Sequence, residues 1–135
     1  MAARLRLSAT RLARQLRQQS DAGLSPSQLS VLATIDLHGP LTLGVLADHE
    51  RVAPPTVTKA VAKLEASGLV QRAPDPTDRR VAWVSTTAKG DVVLARLRQR
   101  KNVWLAARLA ELDAGQRARL AAALDVLDAL TRDTP

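Results

Sequence analysis

Hydrophobic residues recur at every third or fourth position through most of this chain, which is the spacing of one face of an α-helix. The pattern predicts six helices, which begin near positions 3, 26, 43, 54, 88 and 114. Two short apolar segments, residues 69–72 and 81–84, follow the fourth helix and predict a pair of antiparallel strands. The chain is therefore expected to be mainly α-helical with a small β-hairpin.

Two of the helix starts carry a complete capping signal. Ser25 can cap the second helix, Pro26 suits its first position, and Gln28 is placed to complete a capping box. Asp113 and Gln116 have the same spacing before the sixth helix. These residues predict where both helices begin.

Other polar and glycine-containing segments mark the remaining helix ends. The first helix is expected over residues 3–20 and is broken by Asp21-Ala22-Gly23, and His38-Gly39-Pro40 ends the second. Thr42 and Thr87 are expected to cap the third and fifth helices, and the fifth is expected to run to about Ala110.

The apolar faces of the helices predict which residues pack together. The expected faces are Leu5, Ala9, Leu12 and Leu16 in the first helix; Leu29, Leu32, Ala33 and Leu37 in the second; Leu43, Leu46 and Ala47 in the third; Val57, Ala60, Val61 and Leu64 in the fourth; and Leu120, Leu124, Leu127 and Leu130 in the sixth. The stripes of the first, fifth and sixth helices are too extensive for one small unit to cover. A second copy of the chain is the simplest partner, although these helices could instead complete the core of a single chain.

The fourth helix has an unusual start and a polar outer face. Pro54 and Pro55 bring no N–H groups, so two unsatisfied donors of a helix start are absent, and Ala53 offers no capping oxygen. Gly68 is expected just past the end of this helix. Four residues share the face opposite the apolar one: Pro55, Thr56, Lys59 and Lys63.

That outer face suits a helix that enters the major groove of DNA. Thr56 can hydrogen-bond to a base edge, Pro55 can touch a thymine methyl group, and Lys59 and Lys63 can reach guanine or phosphate. Taken alone, the helix is better explained as an ordinary amphipathic helix with a solvated face, because most helices of soluble proteins have this pattern.

The segment between the predicted strands changes this interpretation. Residues 73–80 form a proline-rich, acidic loop that ends in Asp78-Arg79-Arg80. Arginines held beside a duplex suit a narrow minor groove, and Asp78 is expected to pair with Arg80 or a nearby backbone N–H and to orient the arginine. An ordinary charged hairpin is the simpler alternative. Helix and loop together predict a winged helix-turn-helix, mainly α with a small two- or three-stranded β wing, flanked by dimerisation helices.

Composition supports a polyanionic partner and excludes several other functions. The net charge is +7 and the isoelectric point is about 11.2, which favours nucleic acid or anionic lipid. There is no Phe or Tyr and there are only two Trp residues, which argues against single-strand binding through stacked bases. The absence of Cys excludes disulfides and thiolate sites and is compatible with the cytoplasm, which is the expected location.

Membrane, targeting, enzyme and cofactor signals are weak or missing. No apolar run approaches the length of a membrane span, so no membrane partner is expected. The Arg-rich residues 1–20 could be a transit peptide, but a helix of the folded domain is preferred. No catalytic motif is present, so no enzyme activity and no cofactor are expected. His38 and His49, with Asp36, Asp48 and Glu50, lack a tight ligand spacing, so surface or core histidines are preferred over a metal site.

Residues 25–90 resemble the MarR family of bacterial winged-helix regulators in the stretches SPSQLSVLATI, GPLTLGVLADHERV, PPTVTKAVAKLEASGLVQR, DPTDRR and TTAKG. The flanking helices match in order and length. The resemblance implies one MarR-like domain over residues 1–135, with a DNA-binding unit at 26–91 and dimerisation helices at 1–22 and 92–135.

The resemblance also implies roles for particular residues. By position, Pro55, Thr56 and Lys59 match base-reading residues, Arg80 with Arg79 beside it matches the minor-groove arginine, and Thr42 and Thr58 are expected near phosphates. The double proline departs from the family's usual polar cap before the recognition helix.

The expected function is that of a homodimeric regulator of transcription. It is expected to bind double-stranded DNA at a near-palindromic site as a repressor, and to be released by a small anionic or aromatic effector that no residue identifies. An architectural DNA-binding protein with low sequence specificity and a winged-helix protein-interaction module are the alternatives.

Overall fold

The computed structural model describes residues 1–19 and 23–132. Its helices and strands follow in the order α1 Ala2–Gln18, α2 Pro26–His38, β1 Leu41–Thr42, α3 Leu43–Glu50, α4 Pro54–Ala66, β2 Val70–Pro74, β3 Ala82–Thr86, α5 Ala88–Ala110 and α6 Ala114–Thr131. All six predicted helices are present in this part of the chain. The predicted helix end at Ser20 and the break at Asp21-Ala22 lie outside the described residues.

The strands form one antiparallel sheet in the order β1-β3-β2. Leu41 and Thr42 were expected to open the third helix, but they pair with Val84 and Trp83 of β3 before that helix begins. Strands β2 and β3 pair from Val70↔Thr86 to Pro74↔Ala82, so the hairpin extends further than its apolar segments suggested. Pro74 is tolerated because β2 is an edge strand.

The predicted caps are confirmed. Ser25 and Gln28 form a full capping box at α2, and Asp113 and Gln116 form another at α6. The Thr42 hydroxyl accepts from the Val45 N–H at 3.3 Å, and Thr87 caps α5 in the same way. As expected, Ala53 provides no side-chain cap for α4, and Gly68 follows the helix with a φ of 75°.

The hydrophobic core lies between α2, α3, α4, the sheet and the first turns of α5. Its buried members are Val31, Leu32, Ile35, Leu41, Leu46, Ala47, Val57, Ala60, Val61, Leu64, Leu69, Val70, Val84 and Leu94. All four predicted inward residues of α4 belong to this core. The helix is therefore fixed on one side by contacts with α2, α3 and β2.

One predicted core residue of α2 is wrong. Leu37 is 76% exposed, whereas Val31 and Ile35, which the spacing argument omitted, are buried. At 100° per residue, Leu37 lies about 140° around the helix from Leu32, on the far side of the buried arc. Helix α2 packs against α3, α4, β3 and α5, so its buried arc is wider than the stripe of a surface helix and is centred elsewhere.

The outer helices contribute little to this core. Helices α1 and α6 have no buried residue, and the buried residues of α5 are Gly90, Leu94 and Leu97, all in its first half. Leu12 and Leu124, from the predicted stripes of α1 and α6, are 46% and 52% exposed. The stripes of α1 and α6 therefore do not complete the core of a single chain, whereas the first half of α5 contributes Leu94 to it.

Among the described helices, none combines the length and the hydropathy that crossing a membrane would require.

Candidate nucleic-acid interface

Helix α4 separates an inner apolar face from an outer polar one. Val57, Ala60, Val61 and Leu64 are buried, and the predicted outer residues Pro55, Thr56, Lys59 and Lys63 are all exposed. Because the inner face is packed, the direction of the outer side chains is set by the core. The helix thus presents a threonine and two lysines to solvent on a rigid support.

A shallow groove brings the outer face of α4 next to the start of α2. Its volume is about 180 Å³, and its polar lining residues are Ser25, Ser27, Gln28, Thr56, Lys59 and Lys63. Three predicted site residues therefore lie together beside the start of α2, whose Ser25 and Gln28 N–H groups are used within the capping box. The two lysine side chains favour negatively charged oxygen atoms.

The first turn of α4 is closed by its own backbone and by Thr58. The Thr56 N–H donates to the Ala53 carbonyl at 3.0 Å, and the Thr58 hydroxyl donates to the Pro54 carbonyl, also at 3.0 Å. Thr58 is exposed on the helix but its hydroxyl proton is engaged within the chain. The predicted phosphate contact by this residue would require its hydroxyl to rotate.

The other end of α4 is tied to α5. The Thr87 hydroxyl donates to the Gly68 carbonyl at 2.5 Å, and the Lys89 ammonium donates to the Ser67 carbonyl at 2.9 Å. Gly90 lies against the backbone of Leu69, where an added Cβ would overlap the Leu69 carbonyl oxygen. The position of α4 is thereby linked directly to the long helix that follows the wing.

The loop between β2 and β3 is organised around Asp75. One carboxylate oxygen accepts from the Trp83 indole N–H at 2.8 Å. The other accepts from the Thr77 N–H, the Thr77 hydroxyl and the Asp78 N–H at 3.0, 2.9 and 2.9 Å. The Asp75 N–H also donates to the Val81 carbonyl at 3.0 Å. These hydrogen bonds connect the start of the loop to its tip and to strand β3.

Asp78 then holds Arg80. Its carboxylate oxygens accept from the Arg80 Nε and Nη2 at 3.1 and 3.2 Å, and from the Arg80 backbone N–H at 3.0 Å. The expected Asp78–Arg80 pair is present, with the Arg80 side chain 90% exposed. The Nε and Nη2 edge of the guanidinium is therefore bound to Asp78, and the rest of the side chain is exposed to solvent.

Hydrogen bonding keeps both carboxylates of the wing ionised. The indole N–H of Trp83, followed by the donors of Thr77 and Asp78, lowers the pKa of Asp75 from 3.8 to about 2. The Arg80 side chain and backbone N–H lower the pKa of Asp78 below its ordinary value. These hydrogen bonds therefore favour the ionised form of both carboxylates.

A second hollow lies between the wing and the start of α3. It has a volume of about 420 Å³, and Thr42, Gly44, Arg72, Arg80 and Val81 are among its lining residues. It brings the predicted residues Thr42 and Arg80 together. Pro55, Thr58 and Arg79 are exposed but line neither this hollow nor the α4 groove.

Several residues near the predicted site were not expected there. Ser27 lies on α2, Gly44 on α3 and Arg72 on β2, and no periodic pattern indicates that they line the α4 groove or the hollow beside the wing. Arg72 pairs with Glu65 of α4 at 3.0 Å and so ties the wing strand to that helix. Trp83 follows the acidic loop closely in sequence, which is a weak signal. Its hydrogen bond to Asp75 depends on the register of the hairpin, which the sequence does not show.

The histidines considered for a metal site lie together at the C-terminal ends of α2 and α3. Their rings stack with centroids 4.4 Å apart. Two of the nearby acids have other partners, since Glu50 accepts from the Ser30 and Thr34 hydroxyls and Asp36 pairs with Arg98 at 2.9 Å. Within residues 1–19 and 23–132, no three His, Cys, Asp or Glu side chains are grouped to hold a metal ion.

Comparison with known proteins gives a consistent result. A sequence profile described as the MarR family matches residues 24–82. An uncharacterized HTH-type transcriptional regulator of Mycobacterium bovis is 40% identical over 136 aligned positions, which cover 100% of this chain and 95% of that protein. An HTH-type transcriptional repressor of Bacillus subtilis is 36% identical over 77 positions, covering 57% of this chain and 50% of the repressor.

The fold also matches solved structures over nearly its full length. A crystal structure of a candidate transcriptional regulator from Pseudomonas aeruginosa superposes with a TM-score of 0.87 and 36% sequence identity. The match covers 98% of this chain and 94% of that one. The similarity therefore includes the outer helices as well as the winged unit.

Proposed function

The chain belongs to the MarR family of transcriptional regulators, and we propose that it acts as a homodimeric repressor at near-palindromic sites in double-stranded DNA. Regulation of transcription through a DNA-binding winged helix is the function of its relatives, which are regulators and not enzymes. The observation that carries the proposal is the exposed Thr56–Lys59–Lys63 face on a helix whose other side is completely packed.

In the proposed complex, α4 lies in the major groove. Pro55 and Thr56 lie near its N-terminal end, where a recognition helix contacts base edges. Lys59 and Lys63 follow on the same face and neutralise phosphates or contact guanine. The start of α2 adjoins the same groove, where Ser27 lies beside Lys59 and Lys63, while the Ser25 and Gln28 N–H groups are used within the capping box.

The wing is proposed to follow the adjacent minor groove. Arg80 would enter it, with Arg79 beside it at the backbone, since a narrow minor groove concentrates negative potential. Asp78 would orient Arg80 through the paired contacts already described. Thr42, which lines the same hollow as Arg80, and Thr58 are proposed to lie near phosphates on either side of α4.

Two copies of the chain are proposed to pair through α1, α5 and α6. The leucines of α1 and α6 are exposed in the single chain, so a second copy would remove a large apolar surface from water. Two-fold symmetry would then place the two α4 helices about 34 Å apart, which is one turn of DNA. This spacing is the reason for expecting a near-palindromic site.

Repression is proposed from the name of a relative, and its release from the thermodynamic coupling between effector binding and DNA binding. A B. subtilis relative is named as a repressor, and a repressor in the cytoplasm needs a signal that removes it from DNA. A small anionic or aromatic effector would act if it bound more tightly to a dimer in which the α4 spacing no longer fits the duplex.

Selection from a duplex library with about 30 randomised base pairs tests the proposal. Enrichment of a near-palindrome with half-sites about 10 base pairs apart supports it, and binding to the enriched duplex should weaken steeply with salt as counterions are released. Equal affinity for enriched and random duplexes would indicate the architectural protein instead. Absence of DNA binding at low salt would leave only the protein-interaction module.

A further inference from the structure

The wing contains a continuous chain of hydrogen bonds that begins in the sheet and ends at Arg80. Trp83 lies on β3, the central strand, opposite Thr42 of β1 and Ala73 of β2. Its indole N–H donates to Asp75, Asp75 accepts from the Asp78 N–H, and the Asp78 side chain accepts from the Arg80 guanidinium. Each link is between 2.8 and 3.1 Å long.

The order of these links matters because Asp78 alone cannot fix Arg80 relative to the sheet. Asp78 and Arg80 are two residues apart at the tip of the same loop, so their pair could move as one unit with that loop. Asp75 removes this freedom, because the same carboxylate binds the tip backbone at Thr77 and Asp78 and the side chain of Trp83. The sheet, which contacts the core through the buried Val84, is the fixed end.

Trp83 is more exposed than expected of a tryptophan whose role is to pack in the core. It is 38% exposed, whereas the next residue of the strand, Val84, is fully buried on the other face of the sheet. An indole half out of the core gains less from apolar burial, and its one donor is directed at a carboxylate. The lowered pKa of Asp75, whose largest cause is this N–H, agrees with a strong charge-assisted bond.

We propose that Trp83 and Asp75 are positioning residues for DNA recognition, which hold the wing tip so that Arg80 points in one direction relative to α4. The inference rests on the proposed function, since it assigns Arg80 to the minor groove. A guanidinium already oriented loses less conformational freedom on binding than one on a mobile loop. Neither Trp83 nor Asp75 needs to touch DNA for this effect.

A double-mutant cycle on the enriched duplex tests the inference. Trp83→Phe keeps an aromatic ring and removes the N–H, and it should weaken binding at least about threefold, within the usual coupling of residues in one hydrogen-bonded network. In an Arg80→Ala background the same change should have almost no further effect. Asp75→Asn also removes a negative charge, so its effect is taken relative to the same change in the Arg80→Ala background, and that difference should match the one for Trp83→Phe. Ser85→Ala is the matched control, because it removes a hydrogen bond of the same hairpin, from Gln71 at 3.4 Å, outside the chain to Arg80, and it is expected to bind like the wild type.

Nitrogen-15 NMR of the free protein provides a readout that loss of fold cannot imitate. In Trp83→Phe, the backbone amides of Thr77 and Asp78 should show lower order parameters, because the wing tip loses its tie to the sheet, while the core amide resonances stay in place. Unchanged order parameters at Thr77 and Asp78, or a Trp83→Phe effect on binding that persists in full without Arg80, would overturn the inference and leave the proposed function intact. A wild-type chain that enriches no duplex would overturn both.

Discussion

The winged unit and the outer helices have similar leucine-rich patterns but very different environments in the folded chain. The α4 stripe is buried within a core that one chain completes, and its polar face is free to contact a ligand. The stripes of α1 and α6 are at the surface, with no buried residue in either helix. In the proposed dimer, DNA recognition would thus be built within each chain, whereas the distance between the two α4 helices would be set by assembly.

The two regions are joined at α5. Its first turns reach the core through Leu94, and Thr87 and Lys89 hold the carbonyl end of α4. Arg98, further along, pairs with Asp36 of α2. Helix α5 is therefore in direct contact with α4 and α2, and the effector release proposed above would act through these contacts.

The largest expected effect is loss of the winged core. Leu64→Ala removes a fully buried side chain and should lower the free energy of unfolding by about 2–5 kcal/mol, measured by urea denaturation with circular dichroism. Leu37→Ala, on the exposed side of α2, should change it by less than about 0.5 kcal/mol. Equal losses in the two variants would show that the core is not where the structure places it.

A charge introduced among the exposed leucines of α6 should weaken the proposed dimer and leave the hydrophobic core unchanged. Leu124→Glu should raise the dimer dissociation constant at least about a hundredfold, roughly 2.7 kcal/mol, because an unpaired charge would be buried at the interface. Sedimentation equilibrium measures this, and Ala129→Glu on the opposite face of α6 is the control. Dimers of unchanged strength in Leu124→Glu would contradict the proposed interface.

Removing the wing arginine should separate recognition from assembly. Arg80→Ala should weaken binding to the enriched duplex about tenfold or more while the dimer stays intact, since one minor-groove contact is lost. Gel-shift titration gives the affinity, with Arg119→Ala on α6 as a control of equal charge change. If both variants lose affinity equally, net charge and not the wing accounts for binding.

Thr56→Ala should have a smaller effect that depends on sequence. It should reduce the preference for the enriched duplex over variants changed at one base pair by up to about fivefold, about 1 kcal/mol, with little change on random DNA. Competition titrations measure the ratio. Equal weakening on all duplexes would place Thr56 at a phosphate.

The smallest expected effect is the lowered pKa of the Asp75 carboxyl group. Because the pKa of Asp75 lies below its ordinary 3.8, its ionised form stabilises the wing above about pH 4, and this contribution is lost as the pH falls toward about 2. The Trp83 indole N–H resonance, assigned with Trp104→Phe, should titrate with a midpoint near pH 2 and lose this response in Asp75→Asn. A midpoint near 3.8 would mean that the bonds to Asp75 do not form in solution.

The sequence predicted most of the winged unit because its signals are local. The inner face of α4, the caps at Ser25, Thr42, Thr87 and Asp113, and the Asp78–Arg80 pair each depend on residues within a few positions of one another. Spacing also identified the leucines of α6, but not their burial, because periodicity is the same for a core within a chain and an interface between chains.

What could not be predicted depends on contacts between distant segments. The pairing of Leu41 with Val84, the bond from Trp83 to Asp75 and the groove shared by Ser27 and Lys59 require the sheet register and the packing of α2 on α4. The exposure of Leu37 has the same origin, since the buried arc of α2 is set by four neighbouring elements and not by its own pattern.

Hydroxyl-radical footprinting of the wild-type chain on the enriched duplex tests the central claim most directly. The proposed symmetric dimer should protect two symmetric segments about one helical turn apart, flanked by minor-groove protection that disappears in Arg80→Ala. A single asymmetric segment, or uniform protection along the duplex, would contradict a symmetric dimer that reads DNA through α4 and the wing.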